Sequence, residues 1–135
     1  MGFFEDIRKA IEVQLKSNWT TTDIAWDNVI YTPIARTAYI KLRISYSSVN
    51  QVSGGQTPLF RAYGQVTVEV YVPVETGTNT IRGYADSLTT IFENKAVSDV
   101  QFLATYINRI GDIGEYYQLN VITPFYADGA LSNAS

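Results

Sequence analysis

Two stretches decide the fold: Ala38–Tyr46, AYIKLRISY, and Ala62–Val72, AYGQVTVEVYV. In the first, the even positions carry Ala38, Ile40, Leu42, Ile44 and Tyr46, and the odd ones Tyr39, Lys41, Arg43 and Ser45. In the second, the even positions run Ala62, Gly64, Val66, Val68, Val70 and Val72, and the odd ones Tyr63, Gln65, Thr67, Glu69 and Tyr71. Strict period two means two strands, each with one buried face and one wet or interface-forming face. Shared parity lets them pair antiparallel with every even residue on one side, for example Leu42 opposite Val66, which leaves Lys41 in diagonal reach of Glu69. Pro73 stops the second strand. Between the strands, Ser47–Phe60 (SSVNQVSGGQTPLF) has no core periodicity and is too long for a tight turn, so it reads as an extended loop. Loops of that size are usually functional or mobile, and Val49, Val52, Leu59 and Phe60 make this one adhesive.

Outward from the strands, Phe4, Ile7, Ile11 and Leu15 recur at steps of three and four, with Phe3 and Ala10 beside them. This predicts an amphipathic helix over about residues 3–17. Ser17-Asn18 and Thr20–Asp23 end it by competing for backbone hydrogen bonds. A short apolar-polar stretch, Ile24–Tyr31, is closed by Thr32-Pro33. After Glu75-Thr76-Gly77, a second helix is expected from about Asn79 to Glu93, capped by Thr78 or Asn79, with Ile81, Ala85, Leu88 and Phe92 inward. Gly83 inside it is a small cost, to be offset by close packing. Strand-like stretches follow near Val97–Leu103, Thr105–Ile110 and Tyr116–Phe125. The fold class is α+β: a mainly antiparallel sheet with two helices packed on one face and a long hairpin with an extended loop. Residues 1–127 form one domain, and 128–135 read as a flexible C-terminal tail.

Composition removes chemistry. The 135 residues include no histidine and no cysteine, so there is no Ser-His-Asp triad, thiolate nucleophile, thiolate zinc site or disulfide. A reducing compartment fits this composition. With 46% hydrophobic and 17% charged residues the chain is a folded globule. Net charge −3 argues against a protein built to hold nucleic acid. Residues 1–62 hold seven Lys/Arg against five Asp/Glu, and residues 63–135 three against eight, an asymmetry that head-to-tail assembly can use. The N-terminus has acids where a signal peptide needs a basic region, Asp6 stands where myristoylation needs Ser or Thr, and no run of about 18 apolar residues spans a membrane. Two glycosylation sequons, at Asn18 and Asn133, matter only on secretion.

No enzymatic constellation survives inspection. Asp23 and Asp27 lack a third acid or a histidine to make a metal or acid–base site, and Trp26 between them points to loop packing. Asp112 and Glu115 flank Gly111 and Gly114 in a turn. Ser53–Gln56 lacks the strand–loop–helix context of a phosphate loop. Lys41, Arg43 and Arg61 with Tyr39 and Tyr63 resemble a single-strand nucleic-acid platform, but Glu69 and Tyr71 continue the same face, which favours cross-strand pairing or a protein interface. Catalytic, cofactor-binding and metal-ligating residues are therefore all assigned as none. The tyrosines on the nominal outside, Tyr39, Tyr63 and Tyr71, mark an interface.

The ordered set FFEDIRKAIEVQL, IAWDNVIYTP, AYIKLRI, a variable loop, YGQVTVEVYVPVETGTNTIRGYADSLTTIF and QLNVITPFYAD resembles the bacteriophage tail-terminator (tail-completion) family over about residues 3 to 127. Its most recognisable short motif is Trp26–Pro33. The resemblance implies a structural virion protein, assembled in the host cytoplasm, that forms a homo-hexameric ring at the head-proximal end of the tail. The ring caps the last tail-tube subunits, stops polymerisation and presents a surface to head-completion or connector proteins. No catalysis, cofactor, membrane or specific nucleic acid is implied, although DNA passes through such a ring. A tail-tube or neck protein is the near alternative, and a monomeric protein-binding module is a further one. The expected interface comprises Tyr39, Lys41, Arg43, Val49, Val52, Leu59, Phe60, Arg61, Tyr63 and Tyr71.

Overall fold

The computed structural model describes residues 3–26, 29–32, 37–51, 54–55, 59–74 and 78–129. In chain order the elements are α1 (Phe3–Asn18), β1 (Asp23–Ala25), β2 (Tyr39–Gln51), β3 (Phe60–Pro73), α2 (Thr78–Phe92), β4 (Ala96–Val97), β5 (Val100–Phe102), β6 (Tyr106–Ile113) and β7 (Tyr116–Gly129). The strands make one seven-stranded sheet, ordered β1-β2-β3-β7-β5-β4, with β6 also paired to β7. All pairings are antiparallel except β1 with β2, which is parallel, so the sheet is mixed rather than purely antiparallel.

Period two survives intact in the two deciding strands. Ile40 and Leu42 of β2, Val66, Val68, Val70 and Val72 of β3, and Leu119, Val121, Phe125 and Ala127 of β7 are buried on one face. Both helices cover that face and join the same hydrophobic core. The register differs from the sequence expectation by two residues: Leu42 pairs with Val68, not Val66. Parity is unchanged, because a slip of two leaves every side chain on its own face. The observed register sets Tyr39 opposite Tyr71, Lys41 opposite Glu69, and Tyr46 opposite Gly64. These pairs stack rings, match charges and give the large ring a glycine to face, none of which the other register does.

Much of the supposed loop is strand. β2 continues to Gln51 and meets Phe60, with a register shift between Tyr46 and Ser48. The bulge absorbs one residue, and both faces of this arm lie in solvent, so no burial period marks it. β7 likewise runs on to Gly129, so Asp128, placed in the tail by sequence, pairs with Arg61 inside the sheet. Val97–Leu103 is a small hairpin, β4 with β5, turned at Ser98 in the left-handed region.

The outer edge of β7 is shared by two strands. β5 takes Phe125–Ala127 and β6 takes Tyr116–Ile122. Pro124 lies at the handover, and its carbonyl accepts the Leu103 N–H at 2.8 Å. A strand residue points its N–H and C=O to the same side, so the donor that proline lacks is missing on the side where the pairing changes partner. The step is secured by a 2.7 Å hydroxyl contact between Thr105 and Thr123 and by the Thr105 N–H donating to Glu93 at 3.0 Å.

On α1 the buried stripe is Phe3, Ile7, Ile11 and Leu15, so Phe3 takes the inward place expected for Phe4. Phe4 is exposed and packs edge-on against Tyr46, ring centroids 4.9 Å apart. Gln14 of α1 donates to the Ile91 carbonyl at 2.8 Å, filling one acceptor that the end of α2 leaves open. A methyl group at Gly83 would meet nothing within 4 Å, so no close packing requires this glycine. At Gly64 a Cβ would collide with the Ser45 carbonyl oxygen and lie 2.9 Å from the Phe125 ring.

Two opposite outcomes follow for urea denaturation. Gly83→Ala raises stability by about 0.5–1 kcal/mol through helix propensity. Gly64→Ala lowers it by roughly 1–3 kcal/mol, because backbone and a core ring must both move.

Candidate functional site

The sheet face turned away from the helices is the candidate surface. Tyr39, Lys41 and Arg43 of β2 lie opposite Tyr71, Glu69 and Thr67 of β3, which in turn face Gln118, Asn120 and Ile122 of β7. At its centre is a charge-assisted group. Glu69, buried at 7% exposure, accepts from the Tyr71 hydroxyl at 2.5 Å and is ion-paired with Arg43, whose side chain remains largely in solvent. Next to it, buried Gln118 donates to Asn120 at 2.9 Å. Among the described residues no helix covers this face, yet Thr67, Glu69, Gln118 and Asn120 are buried.

Tyrosines gather at one end. Tyr39 and Tyr71 stack with centroids 4.7 Å apart and planes at 13°, and Tyr116 meets both rings edge-on, at 5.5 and 6.3 Å. Tyr31 leans on Tyr39 at 5.1 Å and donates its hydroxyl to Asp23 at 3.2 Å. Burial raises the Tyr71 phenol well above its usual value of 10, helped by the hydrogen bond to Glu69 and by that carboxylate's charge. Tyr39 is raised for the same first reason, burial, and then by Tyr116 and Glu69. Both rings are neutral donors at physiological pH.

A second group lies at the other end of β3. Arg61 donates to both oxygens of Asp128, at 2.7 and 3.0 Å, and its guanidinium lies 4.5 Å over the Tyr126 ring. Tyr63 flanks that ring at 6.3 Å. The bidentate bond from Arg61 holds the Asp128 carboxyl below its usual value of 3.8, against a smaller opposing effect of burial.

The structure thus brings Tyr39, Lys41, Arg43 and Tyr71 into one cluster and sets Arg61 and Tyr63 on the same face at the far end of β3. Val49 and Leu59 are exposed on the hairpin arm, and Phe60 is half-buried. Val52 lies outside the described residues. Tyr39 and Tyr71 are half-buried against each other rather than free outer rings. Sequence reasoning missed Tyr31 and Tyr116, which complete the tyrosine cluster from distant segments.

It also missed the sheet edge. β6 pairs only with β7 among the described residues, and it exposes Tyr106, Ile107, Ile110 and Ile113. Its pairing shifts between Arg109 and Gly111, a bulge with Gly111 at φ 103°. On the opposite side of the sheet, β1 covers β2 only as far as Lys41. The remainder of β2 has no outer partner among the described residues. Nothing in the residues of β6 itself, YINRIGDI, marks it as an edge strand rather than an inner one.

No family model matches the chain, and no curated protein matches it. Solved structures do. One is a protein of no stated role, with TM-score 0.69 and 20% identity over 93% of this chain and 96% of its own. Another is a chain from the virion of a native gene transfer agent particle, with TM-score 0.62 and 16% identity over 91% of this chain and 95% of its own. At these identities the likeness shows the fold, over nearly the full length of each partner. No helix among the described residues is long and apolar enough to cross a membrane.

Because Asp128 has a lowered folded-state value, its pairing with Arg61 stabilises the protein above about pH 3.8 and is lost as pH falls through the folded value. Asp128→Asn therefore gives a small loss in thermal midpoint at pH 7, small because the pair is solvent-screened. The difference from the parent shrinks to nothing in strong acid. Thermal melts across that range read this directly.

Proposed function

We propose that this chain is a phage-type virion structural protein that closes into a ring on the end of a tail tube, ending tube growth and offering a surface for head joining. One observation carries the reading: the sheet has two unlike open edges, the outer side of β2 and the apolar β6, on opposite flanks of one subunit. Two different patches on each copy make a head-to-tail contact, and such contacts close into rings when the rotation allows. An exposed apolar edge strand is a template for another chain, and the bulge between Arg109 and Gly111 restricts it to a partner that fits the bend. The fold shared with a chain of a gene transfer agent virion supports a virion role, and the ordered motifs from Trp26–Pro33 to QLNVITPFYAD support the terminator assignment.

In such a ring the helices face one way and the polar face of Tyr39, Lys41, Arg43, Glu69 and Asn120 the other. Such a bore carries the Arg43–Glu69 ion pair, carboxamides and hydroxyls beside Lys41, one net positive charge in that cluster, so DNA passes without being tightly held. Partners are then a second copy, the tail-tube protein and a head-completion protein.

Adding the purified protein to polymerising tail tubes and imaging them by negative-stain microscopy checks the role. A terminator gives shorter tubes with density at one end only. Incorporation along the wall identifies a tube subunit instead, and unchanged tubes with a monomeric mass by light scattering leave a monomeric binding module. Arg43→Gln, which removes the exposed cation but keeps a donor for Glu69, is expected to reduce capping severalfold with an unchanged circular dichroism spectrum.

A further inference from the structure

We infer that neighbouring copies meet tip to cleft: the turn between β6 and β7 of one copy, with Asp112, Ile113 and Glu115, seats in the basic cleft between α1 and the segment after β1 of the next. The contact rests on the ring reading above and specifies where the two flanks meet.

The cleft has a volume of about 360 Å³ and opens beside Val13 and Val29, which are 52% and 61% exposed. Arg8, Lys9 and Lys16 line it against one acid, Glu12. Arg8 is already held by Glu5 and Glu12. Lys9 and Lys16 are exposed and form no ion pair among the described residues. Steps of four and then three put Lys9, Val13 and Lys16 on one face of α1, a cation on each side of an apolar residue. Asp6 and Asp99 share the adjoining depression with Lys9, so Lys16 is the stronger attractor of the two. The far wall is fixed, because Trp26 packs against the core and its carbonyl accepts the Val29 N–H at 3.2 Å. The occupant that suits this cleft carries carboxylates around an apolar side chain.

The chain itself presents that pattern. At the β6–β7 turn Ile113 is 49% exposed, with Asp112 before it and Glu115 two residues after it. Both acids are exposed and neither forms an ion pair among the described residues. Arg109, the cation on β6, donates instead to the Tyr117 hydroxyl at 3.0 Å. By contrast Glu69, Glu93 and Asp128 already have partners. The tip is also rigid. Gly114 takes the left-handed φ of 59° that the tight turn needs, and the Glu115 carbonyl accepts the Val74 N–H at 3.1 Å. Ile113 pairs with Tyr116, whose ring packs on Tyr39 and Tyr71. Two preformed surfaces leave little ordering entropy for binding to overcome.

A second copy is the occupant because tip and cleft lie on opposite flanks of one chain. None of the turn residues lines the chain's own cleft. The cleft follows β1, outermost on one side of the sheet, and the tip ends β6 on the other. Along the strands, however, they share one end. β1 pairs with β2 at Tyr39–Lys41, Tyr39 lies across from Tyr71, and Pro73 lies across from Tyr116, where the turn closes. A copy set alongside, head to tail, therefore brings an acidic tip level with a basic cleft. The basic excess of residues 1–62 and the acidic excess of residues 63–135 meet at this contact.

Charge reversal tests the pairing. Asp112→Lys with Glu115→Lys reverses the tip, and Lys9→Glu with Lys16→Glu reverses the cleft. All four positions are exposed, and circular dichroism checks each fold. Each variant alone is expected to self-associate roughly tenfold or more weakly than the parent by light scattering, because like charges then face each other. An equimolar mixture restores assembly, since every tip finds a cleft of opposite sign. Parent-like six-fold particles from both variants overturn the tip-and-cleft contact and leave the ring. Loss of assembly in both variants without rescue in the mixture also overturns the contact. Rescue in particles that stop at two copies supports the contact and overturns the ring. No species above monomer for the parent at any concentration overturns both.

Discussion

Everything in this molecule is placed by β3. β7 pairs with it along its entire length, and β2 pairs with it from Phe60 to Tyr71. Its even residues form the floor of the core and its odd residues the middle of the polar face. A strand with both edges satisfied and one face apolar has no freedom left to slide by one, since a single step would exchange Val66, Val68 and Val70 for Thr67, Glu69 and Tyr71. Freedom to slide by two is removed on the other face. Glu69 is buried and must have partners; Tyr71, on β3 itself, is a donor in any register, but only the observed one sets Lys41 directly across and brings Arg43 into the ion pair. The carboxylate thus acts as a register pin, while the valines supply most of the burial energy.

This division of labour explains what was legible in the sequence. Alternation over Ala38–Tyr46 and Ala62–Val72 gave the strands, their faces and their antiparallel pairing, because burial on one side imposes period two. It could not give the register, since the valines at 66, 68, 70 and 72 are interchangeable to a pattern and only cross-strand partners distinguish them. The helices were readable for the same reason as the strands. The choice between Phe3 and Phe4 was not, because both fit a stripe through Ile7 at steps of three or four. The arm from Ser47 to Gln51 reads as loop since both its faces are wet, and a strand that buries nothing leaves no period in its composition.

Of the candidate surface, the residues on β2 and β3 were visible as large side chains on the outward parity. Tyr31 and Tyr116 were not, because they reach the cluster through pairings that sequence spacing does not reveal. The edge at β6 was hidden by a different physics. Whether a strand is central or at an edge depends on what fails to pair with it, and no local propensity encodes an absent neighbour. Pro124 was the one local hint: its missing donor fixes where one strand must give way to another along β7.

The bulge in β6 has a bearing on how the isolated chain avoids sticking to itself. A bulge bends its strand and increases the local twist, so an incoming chain can keep hydrogen-bond register on one side of the bulge or the other, but not across both. The eight residues of β6 therefore behave as two short edges rather than one long one. Short, twisted edges are poor seeds for the open-ended stacking by which straight edges grow into fibres. A chain with isoleucines exposed along an edge is protected by this irregularity. Only a surface shaped to accept the kink can pair with both halves of the strand at once.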